Sequence, residues 1–220
     1  GMPDLMASLA GSIPVPLVID ADGLSALAGR AAELEARTAP TLLTPHEGEA
    51  ARLLGIDSEE VAAHRLDTAV RLARSSGAVV VLKGDDSIVT DGERIAVNDM
   101  PAPGLATAGT GDVLAGICGA FLGHGLDPFT AACAAVRIHT LAGSLAAEWL
   151  GSAEAMIASD VVESLPAALS SAAAHGGDGQ EVLGACHPHR RPRPAGQRLG
   201  CHDPAGMEVD DRLVVGEDLV

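Results

Sequence analysis

Short apolar runs alternate with longer stretches of helical spacing through the first eighty or so residues of the chain. Leu17-Val18-Ile19, Thr41-Leu42-Leu43 and Val79 to Leu82 are uninterrupted apolar runs, each ending at a polar residue. A strand covered on both faces reads this way, whereas a half-exposed strand alternates. Between them, helical periodicity runs from Leu24 to Arg37, from Glu47 to Leu54 and from Ser58 to Ser75. The last of these has Ser58 as its expected N-cap and Leu66, Val70 and Ala73 on one face. Strands alternating with helices predict βαβ units and a parallel sheet. The pattern then changes. Ser87 to Thr90 and Arg94 to Val97 flank Asp91-Gly92, a hairpin signal. Beyond a loop rich in Pro and Gly, three helices are predicted: Gly111 to Leu122, Asp127 to Leu150 and Ser159 to Ala173. Asp127-Pro128 reads as N-cap and first helical residue.

The two ends differ from the middle. Gly1-Met2-Pro3 stands almost directly before the first expected strand, and three parallel-strand signals are few for an open α/β sheet. This predicts a domain lacking its first strand and helix units. Residues 175–220 show no periodicity and crowd Pro, Arg and Gly, so the expectation is one domain over 1–174 and a disordered or aberrant tail over 175–220. Cys186, His187, His189, Cys201 and His202 in that tail match no usual zinc spacing.

Composition removes several classes of function. The 220 residues carry 14 Lys and Arg against 30 Asp and Glu, a formal charge of −16, which disfavours nucleic acid as a partner. Aromatic content of 1% also removes the stacking platforms used on single strands. No uncharged apolar run approaches the roughly 20 residues that span a bilayer, and the start lacks the pattern of a signal peptide, so no membrane is expected. Four cysteines are too few for a disulfide scaffold. Cys118 and Cys133, in Ala- and Gly-rich helical sequence, read as small hydrophobes. These features place the chain in reducing cytoplasm.

Chemistry concentrates in four segments. Gly104 to Gly116 is a glycine-rich loop leading straight into a helix, whose unsatisfied first-turn N–H groups make an anion site for which phosphate is the commonest occupant. Gly109 and Gly111 let the backbone approach a ligand, and Asp112 can take a proton from a substrate hydroxyl attacking phosphorus. The plainer alternative makes Asp112 an ordinary N-cap. Thr44-Pro45-His46-Glu47-Gly48-Glu49 follows the second strand. There His46 can bond a substrate and Glu49 a metal or its water, or the segment is simply a helix start with acidic residues on the dipole. Lys83, the only lysine, ends the third strand and begins Lys83-Gly84-Asp85-Asp86-Ser87, where an ammonium can meet phosphate or ribose, or stand there by chance. Asp20-Ala21-Asp22 ends the first strand, with Asp22 the expected helix cap. His64, His124 and His139 read as structural or solvated.

The order LVIDADGL, LLTPHEGEAARLLG, VVVLKGDDSIVTDG, LATAGTGDVLAGICG and ASDVVESLP resembles the ADP-dependent NAD(P)H-hydrate dehydratase family over roughly residues 13–170. The resemblance implies a ribokinase-like α/β fold, a three-layer sandwich with a mostly parallel sheet. It also implies repair of hydrated NADH or NADPH by phosphorylation of the hydrate hydroxyl and loss of phosphate. ADP or ATP would be the donor and Mg²⁺ would bridge its phosphates. Asp112 would then be the base at the hydrate hydroxyl and His46 a contact of the hydrated nucleotide. Gly111 with Lys83, Gly84, Asp85, Asp86 and Ser87 would contact adenine nucleotide, and Glu49 would reach Mg²⁺ through water. An NAD(P)H-hydrate epimerase as functional partner and a homo-oligomeric state belong to the same expectation. The sequence departs from the family pattern at Glu47, where HEGE replaces HPGE, and at Pro101-Ala102-Pro103, where a Gly-Asn pair is usual. The family's glycine-rich N-terminal segments are also missing. The alternatives are a ribokinase-like kinase of the thiamine-precursor type and an inactive nucleotide-binding fragment.

Overall fold

In the computed structural model residues 2–175 are described, and the readings made for the tail, its disorder and its zinc candidates, lie outside them. The three apolar runs become parallel strands β1 (Leu17–Ile19), β2 (Thr41–Leu43) and β3 (Val79–Leu82), and β4 (Ser87–Thr90) and β5 (Ile95–Asn98) continue the sheet antiparallel. Spatial order follows chain order, β1-β2-β3-β4-β5. Register places Leu17 opposite Thr41 and Leu42 opposite Val79. All three parallel strands therefore end at one edge of the sheet. β5 joins them there, because Asn98, its last residue, faces Ser87.

Alternate side chains on each strand point to opposite faces, and two helical layers cover those faces. Val80, Leu82, Leu43, Ile19, Ile88 and Ile95 pack toward helices α1 (Met2–Ser12), α2 (Ala21–Ala26), α3 (Glu47–Leu54) and α5 (Arg65–Ser76). Val79, Val81, Leu42, Val89 and Ala96 pack toward α6 (Thr110–Gly123) and α7 (Pro128–Leu150), with α8 (Ala158–His175) against α7. Here α4 is the short helix Ser58–Ala63. The α7 face that meets the sheet carries the small residues Ala131, Ala132 and Ala135, which let the helix lie close. By length and composition α7 could cross a bilayer, but most of it is buried in the protein core. Trp149, the only tryptophan, is 76% exposed near its end. Cys118 and Cys133 are buried free thiols, as their surroundings predict.

Four local expectations need correcting. The chain does not open almost directly on a strand, because α1 comes first and packs on α2. The helix expected over Leu24 to Arg37 is two pieces, α2 and a 3₁₀ turn at Ala31–Ala36, separated where Gly29 takes a left-handed φ of +67° and its N–H reaches Arg52 O. The helix expected over Ser58 to Ser75 breaks at His64 (φ −136°, ψ 44°), and Asp57, not Ser58, holds the N-cap position. The hairpin loop has four residues, 91–94, and the second strand begins at Ile95 instead of Arg94, since Thr90 pairs with Ile95 and the Asp91 carboxylate accepts from Glu93 N and Arg94 N. Asp127 does cap α7, accepting from Thr130 N at 3.0 Å.

Leu82 is fully buried between β3 and the α5 layer. Leu82→Ala is expected to cost about 2–5 kcal/mol, read as a fall in the denaturant midpoint at unchanged slope. A loss well below that range would show that this layer collapses readily around a cavity.

Candidate active site

The aligned strand ends deliver the polar residues. One residue past β1 stands Asp20, one past β3 stands Lys83, and the Lys83 Nζ lies 2.9 Å from Asp20 Oδ1 and 3.7 Å from Glu49 Oε2. Two backbone bonds carry the ladder beyond the strands, Thr44 N to Ile19 O at 3.2 Å and Lys83 N to Pro45 O at 2.8 Å. They fix the spacing of the three loops. The Asp20, Glu49 and Lys83 side chains are 12%, 7% and 22% exposed, so this group is mostly withdrawn from water. Two carboxylates facing one ammonium leave the cluster short of positive charge.

His46 and Glu49 begin α3 through a reciprocal cap. His46 Nδ1 accepts from Gly48 N and Glu49 N, and Glu49 Oε2 accepts from His46 N at 2.8 Å. This satisfies the orphan donors of the helix's first turn. It also leaves the ring hydrogen on the exposed Nε2, 3.5 Å from Glu49 Oε1. The helix-start reading of this segment is therefore correct as far as it goes, and the same geometry holds both residues beside Lys83.

The glycine loop arrives from the other layer. Gly109, with φ +88°, occupies the N-cap position of α6, a conformation that side-chain-bearing residues rarely adopt. Asp112 is consequently not the cap. It is the third residue of α6 and is exposed. Gly111 lies over the charged cluster: a Cβ there would stand 3.5 Å from Lys83 Nζ and 3.8 Å from Asp20 Oδ2. Thr110, buried beside it, ties the loop by donating its hydroxyl to Leu105 O at 2.6 Å and Thr107 O at 2.8 Å.

Of the residues singled out from the sequence, His46, Glu49, Lys83 and Gly111 come together, and Asp112 follows Gly111 on the same helix turn. Gly84, Asp85 and Asp86 form an exposed loop off Lys83, and Ser87 opens β4 with its hydroxyl 3.4 Å from Gly84 O. Arg65, which sequence reasoning passed over, braces that loop: it pairs with Glu47 and donates to Lys83 O at 3.4 Å and Asp86 O at 2.9 Å. Asp22 lies in the first turn of α2 and is not its cap. Asp20 holds the cap position, but turns its carboxylate to Lys83 and makes no cap bond. Burial, with the Asp20 carboxylate adding to it, pushes the neighbouring Cys118 thiol up to about 12, which keeps it protonated and unreactive.

A second group that the sequence did not single out lies at the same edge. Asn98 Nδ2 donates to Thr140 Oγ1 at 3.1 Å, and the adjacent His139 of α7 is hydrogen-bonded to the Thr110 backbone. Among the described residues, the buried side-chain atoms without a partner are Thr44 Oγ1, Asn98 Oδ1 and His139 Nε2, and all three belong to this edge. A shallow depression lined by Asp67, Arg71 and Arg74 lies on α5, toward the opposite end of the sheet, and gathers no such groups.

The profile of the NAD(P)H-hydrate dehydratase family matches residues 7–167. A bifunctional NAD(P)H-hydrate repair enzyme Nnr of Thermofilum pendens is 46% identical over 148 residues, 67% of this chain and 28% of that protein. An ADP-dependent (S)-NAD(P)H-hydrate dehydratase of Neisseria meningitidis is 40% identical over 149 residues, 66% of this chain and 50% of that one. The chain thus spans half or less of the length of these relatives. The crystal structure of an ADP/ATP-dependent NAD(P)H-hydrate dehydratase from Bacillus subtilis, co-crystallised with ATP/Mg²⁺, aligns with a TM-score of 0.62 at 32% identity, over 71% of this chain and 55% of that one. A ribokinase-like superfamily protein of Enterococcus faecalis, at 21% identity and TM-score 0.58, shows the same fold. The α/β sandwich is therefore ribokinase-like, as the sequence implied.

Burial lowers His139 from 6.5 to about 4, with nearby Lys83 adding to the effect and the bond to Thr110 opposing it. The folded protein then binds a proton here less readily than the unfolded chain does. This contribution to stability is complete above pH 6.5 and is lost as pH falls from 6.5 toward 4, a change of about 3 kcal/mol. His139→Gln is expected to remove that part of the pH dependence, so the parent's melting temperature should fall relative to the variant's as pH drops from 6.5 toward 4. Curves that stay parallel from pH 7 to 4 would show that His139 is not held neutral.

Proposed function

Because the chain belongs to the NAD(P)H-hydrate dehydratase family, we propose that its strand-end cluster catalyses ADP- or ATP-dependent dehydration of (S)-NAD(P)H hydrate to NAD(P)H. The observation that carries this reading is the meeting of Lys83, the N-terminus of α6 and Gly111 at one edge, with Asp112 one residue further on. A helix N-terminus reinforced by an ammonium suits a phosphoryl group, and a carboxylate on the same turn suits the hydroxyl that attacks it. The names of the Neisseria and Bacillus proteins supply the substrate and the donor.

In the proposed reaction the Asp112 carboxylate takes the proton of the hydrate hydroxyl as the hydroxyl oxygen bonds to the donor's terminal phosphorus and the bond from that phosphorus to its bridging oxygen breaks, releasing AMP from ADP or ADP from ATP. Hydroxide is a poor leaving group and phosphate a good one. The phosphorylated carbon therefore loses phosphate as the ring nitrogen pushes its electron pair in, and loss of a proton from the neighbouring carbon restores the dihydronicotinamide. His46, with Nε2 outward, contacts the hydrated nucleotide. Lys83 and the loop 84–87, braced by Arg65, contact adenine nucleotide. The donor supplies the phosphoryl group, and Mg²⁺ would neutralise charge on its phosphates.

The residues fit such a cation in one way only. Asp20 and Glu49 are hard oxygen donors, but both already face Lys83, and among the described residues no three His, Cys, Asp or Glu side chains gather as a metal cage. Magnesium retains waters and takes phosphate oxygens with one or two carboxylates, so Glu49 would act through water. The word bifunctional in the names of the longer relatives fits a second repair activity on the same substrate, with an NAD(P)H-hydrate epimerase as the functional partner.

Hydrated NADH incubated with the chain, Mg²⁺ and ADP or ATP should regain the dihydronicotinamide absorbance only when the donor is present. Asp112→Ala is expected to lower that rate at least about 100-fold while the rise in melting temperature on adding adenine nucleotide persists. Equal loss of turnover and binding would make Asp112 structural, and no donor-dependent recovery in the parent chain would refute the activity.

A further inference from the structure

Lys83 has three ammonium hydrogens and, in the structure, two carboxylates to receive them. Asp20 Oδ1 takes one at 2.9 Å, and Glu49 Oε2, already accepting from His46 N, stands further off at 3.7 Å. The third direction is left for the side where Gly111 lacks a Cβ, 3.5 Å from the ammonium and 3.8 Å from Asp20 Oδ2. A four-carbon stem is flexible and would not hold that direction unaided. The nearer and shorter-tethered carboxylate, Asp20, is anchored at the end of β1, and its backbone carbonyl accepts from Gly23 N at 2.9 Å. Without it, the ammonium would be left with Glu49 alone, on the α3 side of the cluster.

We propose that Asp20 is a positioning residue, whose carboxylate fixes the Lys83 ammonium beneath Gly111 so that its free hydrogen meets a phosphoryl oxygen held at the N-terminus of α6. The proposal rests on the phosphoryl-transfer reading of this site. Asp20 itself touches neither substrate nor donor. It acts only through Lys83, and that dependence separates its role from general structural support.

The test is a double-mutant cycle in the full chain with Asp20→Asn, Lys83→Met and both together. Turnover of hydrated NADH and the melting-temperature rise produced by ADP are both measured. Asp20→Asn should lower kcat about tenfold or more with little change in KM for the hydrate, as expected when a transition-state contact is lost. In the Lys83→Met background it should cause no further loss of either turnover or the ADP shift. Asp20→Glu, which keeps the charge, should recover part of the activity, and it serves as the comparison if Asp20→Asn alone melts far below the parent. Losses that multiply across the cycle would overturn the proposal, because Asp20 would then act independently of Lys83. If the parent binds ADP but does not turn over, the dehydratase reading fails and the cycle is decided on the ADP shift alone. If it does neither, both readings fall.

Discussion

A single ammonium holds the working edge of this protein together. Lys83 leaves the most buried strand of the sheet and meets Asp20 from β1 and Glu49 from α3, so three separate chain crossings converge on one charge. Parallel pairing makes the convergence possible, because only parallel strands end side by side at the same edge. Removing one partner of a group this withdrawn from water leaves an uncompensated charge, which costs far more than the pair contributes while intact. The glycine loop then closes over the cluster. Gly109 and Gly111 can be read as the backbone geometry that lets a helix start directly above a lysine.

The polar residues behind this edge have a structural task as well. Asn98 bonds to Thr140, and the next residue, His139, bonds to the Thr110 backbone. The end of β5, the middle of α7 and the start of α6 are thereby connected through buried side chains. α7 serves the sheet with its alanines and the glycine loop with its polar pair at 139–140. Burial keeps His139 neutral, so this connection adds no second positive charge beside Lys83.

Much of the architecture could be read from the chain because it depends on local pattern. The apolar runs at 17–19, 41–43 and 79–82 became strands with those limits, and Glu47–Leu54 became a helix with those limits. The breaks at Gly29 and His64 could not be read, since the surrounding periodicity continues across both and tertiary contacts decide where the backbone turns. At the site, His46, Lys83 and the glycine loop were visible because each sits where a strand ends or a helix begins. Asp20 was visible only as part of an acidic loop, because its partner lies 63 positions away in the sequence. Arg65 carried no signal at all. Its role depends on the kink at His64, which nothing in the local sequence announces.

The placement of Trp149 governs how this protein can be watched. It is the only tryptophan, there is no tyrosine, and the indole is 76% exposed at the far end of α7. Its surroundings in the native state are already close to those in the unfolded chain, so intrinsic fluorescence will change little when the core melts. Both phenylalanines pack on the α6–α7 side of the sheet and report weakly in the near ultraviolet. Backbone signals from the helical layers are the dependable probe of unfolding. The spectral silence has a use: above the absorption of its single indole, the protein leaves a clear window in which the dihydronicotinamide chromophore can be followed without correction.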